Sequence, residues 1–253
     1  MPTHLAPASS SKPADRLFAV LELIADLGMA SSADLVHVLN FPRPTAHRIL
    51  GQLEEMGLVQ KSPYPGKYAA SPRLTHLASG LMHSTLVRAP LRALLVSLSR
   101  VTGQAHHIAM LSQGEVEYFE VVETSALPLT FPAGKRAPPH CNASGQYFLS
   151  QLPKKRLDQF MQSGPWQAFT KNTITSPQAL IERIAEIRRK DYAVQDSEFV
   201  QGVIGLAVPI RTPRGRLAAM LAARADNSQR TVQQVEQLVP IMRSYAARAG
   251  KFF

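Results

Sequence analysis

The sequence predicts an α+β chain built in two parts. Between about residues 14 and 70, apolar residues recur at helical spacing and then give way to a short, turn-rich hairpin. From about residue 104 the rhythm changes to strand-like runs joined by Gly-containing turns and interrupted by helical stretches. A helical run that starts at Pro72 lies between the two.

The elements follow in order. "ADRLFAVLELIADLG" places Leu17, Val20, Leu21 and Ile24 on one helical face and ends at Gly28. "SSADLVHVLN" continues with Ser31 or Ser32 as N-cap and Leu35, Val36 and Leu39 facing inward. "FPRPTAHRILGQLEEMG" carries the stripe Ala46, Ile49, Leu50 and Leu53, with Gly57 suited to its C-terminal end. Beyond Ser71, Leu74, Leu77, Ala78 and Leu81 share a helix face, and a break is expected near Pro90. "AHHIAML" and "VEYFEVVE" form a hairpin around "SQGE"; "NASGQYFLSQL" is a short helix. "SPQALIERIAEIRRK" is a helix capped by Ser176 and opened by Pro177. "VIGLAVPI" and "RLAAMLAA" pair around "RTPRG", and a last helix is kinked at Pro240. The expected division is a flexible arm (1–13), a DNA-binding domain (14–71), a linker helix (72–89) and a sheet domain (90–253).

With 253 residues, 45% hydrophobic and 18% charged, the chain can bury an ordinary globular core. No apolar run approaches the roughly 20 residues of a membrane-spanning helix. The opening "MPTHLAPASSSK" lacks the basic start and apolar core of a secretory signal. The single cysteine, Cys141, excludes an intramolecular disulfide and a cysteine-based zinc site, and a cytoplasmic location is expected. The net charge of +10 favours a polyanionic partner only weakly. Residues 1–80 hold seven Lys/Arg against six Asp/Glu, so +9 of the excess lies beyond them.

Local placement is more telling. Short helices followed by a hairpin are the order of a winged helix-turn-helix, whose third helix keeps one face on the core and offers the other to a major groove. Removing the core stripe leaves Arg43, Pro44, His47 and Arg48 on the open side, with Thr45 near the helix start. Arginines can donate to phosphates or guanine edges. Pro42 and Pro44 cost nothing where amides have no intrahelical partner. Glu54 and Glu55 fall at the far end, and Lys61 and Lys67 flank the wing turn "SPYPGK". The rival is a small helical bundle with a solvated basic face.

"FPRPTAHRILGQLEEMGLV" resembles the recognition-helix signature of IclR-type transcriptional regulators: Pro, a basic residue, Thr, two variable positions, Arg, then an aliphatic stripe ending in Gly. "GKRAPPHCNASGQYFLS" and "YAVQDSEFVQGVIGLAVPI" are similar to two further family segments, and "LAAMLAA" lies where the last core strand is expected. The resemblance spans about residues 14–250. It implies a winged helix-turn-helix joined by a linker helix to a GAF-like α/β effector-binding domain. It also implies assembly as a dimer or dimer of dimers, a double-stranded DNA operator, control of a catabolic operon, and no metal, cofactor or enzymatic activity.

The resemblance further implies a pocket between the curved sheet and the "CNASG" loop. Ala143 and Ser144 would precede a helix whose N-terminal amides hold a carboxylate. Leu129, Phe131 and Ala137 would cover the pocket, Gln195 and Glu198 would lie in an acidic turn, and Gly205, Leu221 and Ala223 on inward strands. The sequence departs from the pattern there. Gly205 replaces the Cys of members that sense small keto acids, and Leu221 and Ala223 stand near their hydroxyls. Gln146 replaces a Lys and Phe199 an acid. A roomier, more apolar pocket for an aromatic or medium-sized organic acid is expected.

Some residues invite an enzymatic reading. His140 and Cys141 are adjacent, but neighbours on an extended chain point apart, which disfavours a nucleophile pair. His106 and His107 alternate across a strand, one facing the sheet interior and one away, and lack further ligands at metal-binding spacing. An α/β enzyme or small-molecule binder with a helical dimerisation segment is the alternative, and a protein-interaction adaptor a third.

Overall fold

The computed structural model describes residues 13–82, 85–124 and 132–253. The expected arm lies outside them except for Pro13, which opens the first helix. Contacts divide the chain into two compact units, Met1–Thr85 and Leu86–Phe253.

The first unit runs α1 (Pro13–Leu27), β1 (Ala30–Ser31), α2 (Ser32–Leu39), α3 (Arg43–Glu55), β2 (Val59–Lys61), β3 (Lys67–Ala70) and α4 (Pro72–Met82). Ser31 is the N-cap of α2: its hydroxyl accepts from the Asp34 amide, and the Asp34 carboxylate accepts from the Ser31 amide at 2.8 Å. Those bonds hold the Asp34 carboxyl below its usual range. Asn40 ends α2 in the left-handed region, turning the chain into α3. The stripe Ala46, Ile49, Leu50 and Leu53 packs with Val20, Leu23, Ile24, Leu35 and Leu39 into one core. Full burial of each Leu or Ile contributes about 1.5–3 kcal/mol. β2 and β3 form the expected hairpin. β1, which the sequence pattern did not suggest, pairs with β3 to complete the sheet β1-β3-β2.

α4 groups with this unit because its start is tied down. The Ser71 hydroxyl donates to the Gly57 carbonyl, and Arg73 Nη1 donates to the Met56 carbonyl at 2.6 Å. The expected linker region 72–89 holds α4 and the start of α5 (Thr85–Thr102), and residues 83–84 between them lie outside the described residues. The break expected near Pro90 is absent, since α5 runs through that residue.

The second unit begins with α5. It continues through β4 (Ala105–Ser112), β5 (Glu115–Val122), β6 (Arg136–Ala137), α6 (Ala143–Ser150), α7 (Lys154–Gln162) and α8 (Pro177–Lys190). It closes with β7 (Ala193–Asp196), β8 (Val203–Arg211), β9 (Leu217–Asp226), α9 (Val232–Glu236) and α10 (Val239–Ala249). The strands form an antiparallel sheet of order β6-β5-β4-β9-β8-β7. The β4–β5 hairpin turns on Gln113 and Gly114, both at positive φ, which suits the right-handed twist of the strands. Pro240 lies in the first turn of α10, so the last helix is broken into two rather than kinked.

Both alternating sets of residues in β8 and β9 are buried, so the sheet is covered on both faces. Met220, Ala222, Ala207 and Ala109 pack against Tyr147 and Phe148 of α6. α6 in turn presses on the turn Pro139–Cys141: a Cβ at Gly145 would lie 2.3 Å from the Pro139 Cα.

Double coverage changes the reading of the paired histidines. They do point to opposite faces, yet neither reaches solvent. His106 Nε2 meets the Thr102 hydroxyl at 2.8 Å, and burial lowers its pKa to about 4. His107 is held neutral by burial, reinforced by the Arg224 cation.

Two outcomes are expected from this packing. Gly145→Ala should destabilise the second unit by about 1–3 kcal/mol or more, read by urea unfolding, because the clash is with backbone. In the unfolded chain His106 takes up a proton below about pH 6.5, whereas in the folded chain it does so only near 4. Stability is therefore present above 6.5 and falls as pH drops through that window, by on the order of 3 kcal/mol. His106→Gln should flatten that slope relative to the parent protein.

Candidate functional site

The first unit presents a basic helix face. Arg43, Pro44, His47 and Arg48 are exposed and Thr45 is half-buried, while the residues between them enter the core. Pro42 is the N-cap of α3 and Pro44 lies in its first turn, so neither removes a helical hydrogen bond. Arg48 Nη1 donates to Gln52 Oε1 at 3.3 Å and borders a groove with Arg16, Leu17 and Met56. The wing turns at Gly66, with Tyr64 exposed at its tip. Lys67 is exposed at the start of β3. Lys61 lies 3.7 Å from Glu54 at the far end of α3. Lys61 remains largely exposed, and such a pair contributes little.

The second unit contains a cavity of about 40 Å³ on the α6 side of the sheet. Its polar wall comprises His107, Tyr118, Asn142, Ser144, Gln195 and Arg224; Phe199, Val200, Val203, Leu206 and Ala222 supply the apolar part. Ala143 and Ser144 line it from the first turn of α6 rather than from a preceding loop. Asn142 caps that helix, its side-chain oxygen accepting from the Gly145 amide at 2.8 Å. First-turn amides have no intrahelical partner, so this end of the helix favours an anion. The rings of His107 and Tyr118 lie 4.7 Å apart. Arg224 is 6% exposed; its Nη2 donates to Glu123 Oε1. Among the described residues, neither Arg224 Nε nor His107 Nδ1 has a partner.

The cavity carries polar side chains that the sequence reading did not place there, for a reason of register. Gly205 pairs with Arg224, and His107 with Ala222, so the cavity face of β9 runs through Ala222 and Arg224. Leu221 pairs with Ile108 and Val208 on the other face and does not line the cavity. Ala223 borders it although its side chain shares the face of Leu221. Gly205 makes no extra room, since a Cβ there would lie 2.8 Å from Gln195 Nε2, whose amide occupies the space. Ala137 packs behind Tyr118 rather than lining the cavity. Leu129 and Phe131 lie outside the described residues.

Glu198 also stands behind the wall. Its carboxylate accepts from Arg183 Nη1 at 2.7 Å and from Gln146 Nε2 at 2.5 Å, and its amide donates to Gln195 Oε1 at 2.6 Å. Burial raises its pKa against the opposing effect of Arg183. Gln146, in place of the family's Lys, is one member of this network. Tyr118, Asn142 and Arg224 escaped the sequence reading, and His107 was weighed there only as a metal ligand. The usable signal was Arg224, a lone cation in an otherwise apolar strand.

The groups that invited an enzymatic reading are otherwise engaged. His140 bonds the Gln167 carbonyl at 3.0 Å and stacks on Trp166. The Cys141 thiol donates to the Pro138 carbonyl, and burial pushes its pKa up to about 12, leaving no thiolate near neutrality. Among the described residues no cluster of His, Cys, Asp or Glu could hold a metal, and no helix is long and apolar enough to cross a membrane.

Comparison with known proteins agrees with this arrangement. Residues 13–63 match the IclR helix-turn-helix domain, and residues 80–249 match the bacterial transcriptional regulator IclR C-terminal family. The chain is 33% identical over 246 residues to the "Probable transcriptional regulator SauR" of Cupriavidus necator, covering 96% of this chain and 98% of that protein. The solved Thermotoga maritima IclR superposes with a TM-score of 0.61 at 23% identity, over 94% of this chain and 97% of that one. The inducer binding domain of the PobR transcription factor from Acinetobacter, solved as a double mutant in complex with 3-hydroxybenzoic acid, superposes with a TM-score of 0.57 at 24% identity. That match covers 66% of this chain and 98% of that one.

Proposed function

This chain belongs to the IclR family of transcriptional regulators, with a DNA-binding and an effector-binding domain and no enzymatic role, and on that premise we propose that it is a cytoplasmic regulator of a catabolic operon whose effector is an organic, aromatic acid. The observation that carries the effector class is Arg224. A guanidinium buried in the cavity wall with an unpartnered Nε, beside the first turn of α6, suits a carboxylate. His107, Tyr118 and Phe199 offer ring surfaces for the rest of such an acid. Ala143, Ser144, Gln195, Gly205 and Ala223 complete the proposed binding set. The 3-hydroxybenzoic acid named for the Acinetobacter domain supports the same class.

For the operator, the proposed contacts are Arg43, Pro44, Thr45, His47 and Arg48 in the major groove and Lys61 and Lys67 on flanking phosphates. Assembly as a dimer or dimer of dimers would match an operator with repeated half-sites.

Gel-shift titration against the intergenic DNA beside its own gene should give a salt-dependent complex. Arg48→Ala should weaken it by about 1–3 kcal/mol if the side chain reads a base, and Lys67→Ala should reduce the salt slope by about one. Absence of any salt-dependent complex would contradict the operator assignment. In a thermal-shift screen, an aromatic acid at 100 times its Kd should stabilise the protein by about 2.7 kcal/mol. Arg224→Gln should abolish that shift, and an equal shift from the matching neutral amide would contradict the carboxylate assignment.

A further inference from the structure

Buried Arg224 and half-buried Glu123 form an ion pair that is only half made. Arg224 Nη2 donates to Glu123 Oε1, but Arg224 Nε and Glu123 Oε2 are both buried and, among the described residues, both without a partner. A structural Arg–carboxylate pair in a protein interior is usually bidentate, because each idle buried atom forfeits its solvation. The two members are also held very unequally. Arg224 lies within β9, paired with Ala105 of β4 on one side and Gly205 of β8 on the other. Glu123 follows the last residue of β5, beyond the ladder that ends at Val122. The backbone that carries the guanidinium is thus paired on both sides, whereas the carboxylate hangs from a residue beyond the end of a strand.

We propose that Glu123 is a built-in competitor for the effector's carboxylate, occupying Arg224 until an acid displaces it and so setting both the affinity threshold and the preference for anions. This rests on the reading of the cavity as a carboxylate site. The incoming carboxylate meets the idle Nε of Arg224, forms the second bond that Glu123 leaves unmade, and exchanges for Glu123 at Nη2. A neutral ligand offers Arg224 no replacement charge and leaves the pair closed. Removing the competitor therefore tightens binding of acids and leaves binding of their neutral counterparts unchanged. If the pair is closed at least nine-tenths of the time, its removal lowers the apparent Kd for an acid about tenfold or more.

The test is calorimetric titration of the full chain with benzoate, and with benzamide as its neutral counterpart. Glu123→Gln should bind benzoate at least about tenfold more tightly than the parent protein, with benzamide unaffected. The double variant Glu123→Gln/Arg224→Gln, in which both charges are removed together, should lose benzoate binding. Glu123→Asp retains the charge but sets it back by one methylene; it should give an intermediate gain and serves if Glu123→Gln does not fold. Equal or weaker benzoate binding by Glu123→Gln or Glu123→Asp overturns the inference. If that equal binding is still abolished by Arg224→Gln, the carboxylate site survives and the competitor does not. No benzoate binding by the parent or either Glu123 variant overturns both.

Discussion

Burial of the sheet on both faces is the constraint on which the second unit depends. A strand with one wet face can place polar side chains there at little cost. β4 and β9 have no such face. Every polar group they carry must find a partner, stay neutral or await a ligand. His106 illustrates the first two outcomes, bonded to Thr102 and kept from protonating. Arg224 takes the first course only in part, paired with Glu123 through Nη2 while its Nε has no partner among the described residues. The coverage that makes the unit stable is also what buries the polar groups in the wall of its cavity.

The wall of that cavity is stiffened from behind. Arg183, Gln146 and Glu198 form a largely buried network that fixes the β7–β8 turn, and the Gln195 side-chain oxygen Oε1 accepts from the Glu198 amide. Gln195 then fills the gap left by Gly205. A glycine read in isolation suggests open space; next to Gln195 it is the condition for close packing. The first unit reaches rigidity more simply, by draping α1, α2 and the hairpin around the apolar stripe of α3. Fixing one face of α3 in this way leaves its basic face exposed.

Elements with a local cause were legible. The stripe of α3, the capped start of α8 at Ser176 and the Gly-containing β4–β5 turn each follow from a few neighbouring residues. Prolines were legible in type but not in consequence. Pro240 sits in a first turn and ends up separating two helices, whereas α5 absorbs Pro90 without ending. Local sequence gives the missing amide but not whether packing holds the helix together around it. β1, two residues long, leaves no periodic signal and exists because β3 offers it an edge.

What the sequence determined by itself was the order of elements, the family resemblance and the charged residues that α3 shows to solvent, because these depend on spacing along the chain. What only the tertiary structure decided was which side chains meet in the cavity. That turned on a one-residue register: strand alternation sends Leu221 away and brings Arg224 in. A period of two makes such a slip exchange every residue on a face, and only the pairing with β4 and β8 fixes it.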